Sequence, residues 1–156
     1  MIDTALYVQF GSTLPFQQSG MPMADLPAAA TDILTWVDDQ RLLVVATGTP
    51  LGAVAFRVEV TDSEPQLEKQ GWDEWQEVSV RFDIGDVRLR DLDADRELLD
   101  ASLVDEPGRY RVRIYATGRD SGIELQEAGD DLVERYLMHL WPESEPRPAT
   151  PLMRLQ

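Results

Sequence analysis

The sequence predicts an all-β fold, an antiparallel β-sandwich of about 7–9 short strands with at most one or two short helical turns. Two observations carry this expectation. Large apolar residues recur at every second position in several runs, and turn-forming residues separate those runs. Strict alternation gives a strand one buried and one wet face, because successive side chains leave a strand on opposite sides.

The elements follow in chain order. Ala5 to Phe10 places Leu6, Val8 and Phe10 on one side. Residues 12 to 31 carry Pro15, Pro22 and Pro27 and the triplet Ala28-Ala29-Ala30, which reads as a long crossing loop with one helical turn. Arg41 to Thr47 is nearly all apolar, the pattern of a central strand covered on both faces. Alternation then marks Val54 to Val60, Glu77 to Phe82 and Val87 to Arg90. Leu92 to Val104 reads as a short helix around Asp95-Arg96-Glu97-Leu98-Leu99 or as an exposed loop.

The clearest strand is Arg109 to Ala116, with Tyr110, Val112, Ile114 and Ala116 on one face and Arg109, Arg111, Arg113 and Tyr115 on the other. The last, Glu134 to Trp141, sets Tyr136, Met138 and Leu140 against Leu137, His139 and Trp141. Gly48-Thr49-Pro50 with Gly52, Ile84-Gly85-Asp86, Glu106-Pro107-Gly108 and Thr117-Gly118-Arg119 supply the turns. A single sandwich domain is expected over 1–142. Pro146, Pro148 and Pro151 make 143–156 a flexible tail that cannot continue a ladder. The expected core is Leu6, Val8, Val44, Val54, Phe56, Val58, Val78, Val80, Phe82, Tyr110, Val112, Ile114, Tyr136, Met138 and Leu140, a register that leaves the arginines in water.

Composition narrows the function. Of 156 residues, 29 are Asp or Glu and 14 Lys or Arg, a formal charge of −15, so nucleic acid and anionic membrane are repelled and basic partners attracted. There is no cysteine, which excludes disulfides and thiolate metal sites and favours a reducing compartment. Met1 to Leu6 shows no basic, apolar leader, and no apolar run reaches the roughly 20 residues of a membrane helix. A cytoplasmic location is the simplest reading.

No catalytic set emerges. His139 is the single histidine, no G-x-S-x-G elbow accompanies it, and sharing a strand face with Arg135 predicts that it is exposed or at a rim. Asp91-Leu92-Asp93-Ala94-Asp95 has the alternating carboxylates of a calcium loop, but Arg96 and Ser102 stand where the sixth-place Gly and twelfth-place Glu belong. No cofactor or metal is expected. The stripe Arg109, Arg111, Arg113 is expected to pair across strands with acids such as Glu77 or Glu134 rather than to bind phosphate.

The candidate partner-binding residues are acidic and aromatic. From Asp62 to Glu106 there are 15 acids against five bases, a balance of −10. Within it Trp72, Asp73, Glu74 and Trp75 adjoin a strand, and Asp91, Asp93 and Asp95 follow. Tryptophan beside carboxylates suits an interface anchor.

Several short runs carry a family resemblance: Tyr7-Val8-Gln9-Phe10, Pro107-Gly108-Arg109-Tyr110-Arg111-Val112 and Arg135-Tyr136-Leu137. In this order the chain resembles the competence-type nuclease inhibitors, acidic cytoplasmic β-sandwich proteins of bacteria that cap a nuclease. It is also similar to bacterial proteins ending in a Tyr-Leu-x-x-Leu-Trp-Pro stretch, here Tyr136 to Pro142. The combined expectation is a non-catalytic acidic interaction protein, an inhibitor or immunity protein for a basic enzyme such as a nuclease. The alternative is a carbohydrate- or small-ligand-binding module using Trp72 and Trp75.

Overall fold

The computed structural model describes residues 2–8, 13–18, 33–37, 42–49, 51–91, 96–97, 102–122, 124–127 and 129–155. These residues are all-β, with no helix among them. Eleven strand segments follow one another: β1 (Ile2–Val8), β2 (Thr13–Gln18), β3 (Leu34–Val37), β4 (Leu42–Ala46), β5 (Gly52–Val60), β6 (Glu74–Phe82), β7 (Val87–Asp91), β8 (Arg96–Glu97), β9 (Gly108–Thr117), β10 (Arg135–Pro142) and β11 (Met153–Arg154).

One sheet has the order β1-β5-β10-β9-β6-β11, and the other runs β3-β4-β2-β7-β8. The first sheet is mixed. β10 pairs antiparallel with β9 but parallel with β5, in the register Tyr136↔Phe56 and Met138↔Val58, where a wholly antiparallel sheet was expected. Alternation reports which faces are buried and is silent about strand direction, so the correction could not come from periodicity.

The inner rows of the large sheet follow from its register. Gln76, Ile114, Met138 and Val58 lie side by side across four strands, and Val78, Val112 and Leu140 form the next row. All of these except the polar Gln76 join Leu34, Leu43, Val45 and Val87 of the other sheet in one apolar cluster. Thirteen of the fifteen residues expected in the core are in that cluster; Val44 is buried outside it, and the Val8 side chain lies outside the description. Phe82 lies between Trp36 and Tyr110, with ring centroids at 5.8 and 5.7 Å. The buried Gln76 Oε1 accepts the N–H groups of Ile33 and Leu34 at 2.8 and 3.0 Å, tying β6 to the start of β3.

Two expected loops differ. Residues 13–18 form β2 despite Pro15, because β7 pairs only with Phe16–Gln18, so the proline has a ladder partner on one side alone. Residues 96–97 form β8 against Arg90 and Asp91 rather than a helix, while 92–95 and 98–101 lie outside the described residues.

The outer face of the large sheet is covered at its centre, while Arg57, Arg81, Arg109 and Arg135 toward the strand ends and the β5 edge stay exposed. Segment 61–72 and residues 143–155 cross it and bury Arg111, Arg113, Tyr115, Leu137, His139 and Trp141. Arg111 and Arg113, expected in water, are 2% and 4% exposed, and His139, expected at a rim, is 2% exposed. The region expected as a flexible tail supplies much of this cover. Thr150 N–H donates to the Glu77 carbonyl at 2.9 Å, the Thr150 hydroxyl accepts the Glu77 N–H at 2.8 Å, and β11 pairs Met153 with Trp75.

Candidate functional site

Buried charge on the outer face is neutralised locally. Register places Glu77, Arg113, His139 and Glu59 in one row across β6, β9, β10 and β5. Arg111 Nε donates to Glu77 Oε1 at 2.8 Å and Arg113 Nε to Glu77 Oε2 at 2.7 Å. Burial pushes the Glu77 pKa up, but the two guanidinium hydrogen bonds and charges outweigh it and hold the carboxyl below its ordinary value. The remaining donors reach other oxygens: Arg113 the Pro65 carbonyl, and Arg111 the Ser79 hydroxyl and the Arg147 and Pro148 carbonyls. Arg113 also lies 5.0 Å from the Trp141 ring centroid and 5.9 Å from that of Trp75.

At the next position His139 Nε2 donates to Glu59 Oε2 at 3.0 Å, since a carboxylate only accepts. Its Nδ1 is buried without a hydrogen-bond partner among the described residues. Burial lowers the His139 pKa, against the opposing pull of Glu59 and Glu68. The expected pairing with Glu77 is therefore present for Arg111 and Arg113, whereas Arg109 is exposed and stands opposite Arg81 in the register, and Glu134 binds elsewhere. It accepts the N–H groups of Gly48 and Thr49, each at 2.8 Å, and the hydroxyl of Tyr136. Burial raises its pKa despite those bonds.

Trp72-Asp73-Glu74-Trp75 straddles the start of β6 and serves two cavities. Asp73 and Glu74 line one of about 550 Å³, together with Gly48, Arg119, Asp120, Leu152, Arg154 and Leu155. Glu74 is buried and accepts from Arg119 Nη1 at 2.9 Å, while Arg119 Nε has no hydrogen-bond partner among the described residues. Asp73 is spent on local structure, accepting from the Thr117 hydroxyl at 2.9 Å and Gly118 N–H at 3.1 Å. A side chain at Gly48 would meet the Arg119 carbonyl oxygen at 1.9 Å, so only glycine allows these two loops to close the cavity wall.

Trp72 lines the other cavity, a groove of about 280 Å³ along β5 and β10. Trp75 does not line it; its ring is instead beside Arg113. Of the other candidates, Asp91 is in β7 with its side chain outside the description, and Asp93 and Asp95 lie outside the described residues. A further acidic stretch escaped the sequence reading. Residues 120–134 contain six acids and no Lys or Arg, and Asp120, Glu124, Glu127, Asp130 and Asp131 are exposed. A sliding charge count would have found it. Among the described residues no three His, Cys, Asp or Glu side chains are grouped to hold a metal ion.

No family model and no curated protein matches the chain. Among solved structures it is similar to one described as "Crocagin biosynthetic gene J", at 19% identity and a TM-score of 0.53. The match covers 92% of this chain and 99% of that one. At such identity the likeness is one of fold alone.

Proposed function

We propose that this chain is a non-catalytic interaction protein whose acidic surface takes a basic protein partner, as an inhibitor or immunity protein for a basic enzyme such as a nuclease would. Its scaffold in this reading is a β-sandwich, supported by the meeting of both sheets in one apolar cluster. The observation that carries the reading is the division of charge between interior and surface. Arg111 and Arg113 are turned inward onto Glu77 and Arg119 onto Glu74, while the 120–131 connection presents five exposed acids with no base among them. Such a field accelerates encounter with cations and is screened beyond about 8 Å at physiological ionic strength.

The test starts from partners captured at low salt and eluted by a salt step. Association rates are then measured against ionic strength for wild type and for Asp120→Asn/Glu124→Gln/Glu127→Gln/Asp130→Asn/Asp131→Asn. Neutralising the connection should slow association about tenfold or more and flatten its salt dependence, with little change in dissociation. Equal rates with equally flat salt dependence would reduce the acidic surface to a solubility feature.

A further inference from the structure

The Trp72 groove has the composition of a cation receptor. Its floor is the buried Leu137, and Trp72, Glu59, Glu68 and Asp3 stand around it with Arg57 and Arg135. The indole is fixed from two sides: Nε1 donates to Glu68 Oε2 at 3.2 Å, and the ring centroid is 5.9 Å from that of the fully buried Tyr115. Arg57 is already committed to Glu59 at 3.2 Å. Arg135 is different. It is exposed, makes no ion pair with any described residue, and holds its guanidinium 5.7 Å from the Trp72 ring centroid.

We infer that this groove receives an arginine side chain of the basic partner on the face of Trp72, and that Arg135 fills that place in the free protein. Guanidinium is favoured over ammonium because it is planar, stacks on aromatic faces and offers a fork of donors to carboxylates. Size agrees: ligand pockets commonly run about 300–1,000 Å³, and a groove of about 280 Å³ suits one side chain better than a whole cofactor. Glu68 and Asp3, both exposed at its edge, supply the carboxylates. The inference rests on the acidic-surface reading and gives it a place of contact.

Tetra-arginine peptide is the probe, with tryptophan fluorescence and calorimetry as readouts at low and moderate salt. Removing the resident cation by Arg135→Ala should tighten binding about two- to fivefold, the equivalent of an exposed cation–π contact of about 0.5–1 kcal/mol. Arg81→Ala, which removes an exposed charge elsewhere, should leave affinity unchanged. Trp72→Leu should weaken binding and abolish the fluorescence change, and tetra-lysine should bind more weakly than tetra-arginine. If wild type binds in a salt-dependent way but Arg135→Ala and Trp72→Leu match it, the cation is held elsewhere and the groove assignment falls while the acidic-surface reading stands. If wild type shows no salt-dependent binding, both fall.

Discussion

At the centre of the large sheet the two faces are buried by opposite means. On the inner face, apolar rows such as Val78, Val112 and Leu140 meet side chains of the second sheet and need no electrostatic partner. On the outer face, loop and C-terminal segments provide the cover, and beneath them lie Glu77, Arg111, Arg113 and His139. Covering a charged row removes it from water, so each group must find a fixed counterpart in the protein. The same alternating sequence can thus have two dry faces. The second depends on ion pairs where the first depends on shape.

The sharpest way to break the comparison is Glu77→Ala, which strands two buried guanidiniums. We expect a loss of about 3–5 kcal/mol by urea unfolding, as large as truncating an inner aromatic such as Phe56→Ala. The triple replacement Glu77→Leu/Arg111→Leu/Arg113→Met should recover most of that loss. Should Glu77→Ala cost under about 1 kcal/mol, the outer face is not dry.

A smaller effect comes from pH. Because the folded state holds the His139 proton less tightly than the unfolded state, the unfolded chain binds more protons as pH falls below the ordinary histidine value of 6.5. Stability should therefore decline from pH 7.5 toward 5.5. In His139→Asn that slope should shrink, and identical urea midpoints across the range for both proteins would refute the assignment. Glu77 acts in the same direction but lower, since its depressed pKa gives stability that is lost as pH falls below the ordinary carboxyl range.

The smallest effect is expected where charge stays in water. Arg81 and Asp83 lie 3.7 Å apart with both side chains about half exposed, so Arg81→Ala should alter unfolding free energy by no more than about 0.5 kcal/mol. A larger change would mean that exposure is not what separates the two kinds of ion pair.

Inner-face residues were legible because period two reports burial directly: Phe56, Val58, Val112 and Met138 stand where alternation puts them. The outer face is less legible, because residue type alone places Arg111, Arg113 and His139 in water. Their burial comes from segments 61–72 and 143–155, whose path is written in no local period. Of the candidate site, Trp72 could be picked out as an aromatic beside acids, and Asp73 and Glu74 do line a cavity. The contribution of Arg119 and Arg135 could not be read, since Arg119 meets Glu74 and Arg135 meets Trp72 only when the fold brings distant parts of the chain together.

The parallel seam between β5 and β10 also has a kinetic consequence. Its first register pair joins Ala55 to Arg135, and the Glu59–His139 contact spans 80 residues. As the chain emerges during synthesis, β5 can pair with β1 early, but its other edge has no partner until β10, 80 residues further on at the Glu59–His139 contact, exists. Such long-range closure is slow, because the loop must be ordered before the contact repays it. The centre of the large sheet therefore closes only after β10 has been made, and a chain that stops short of β10 carries the open edge of β5 as its main hazard.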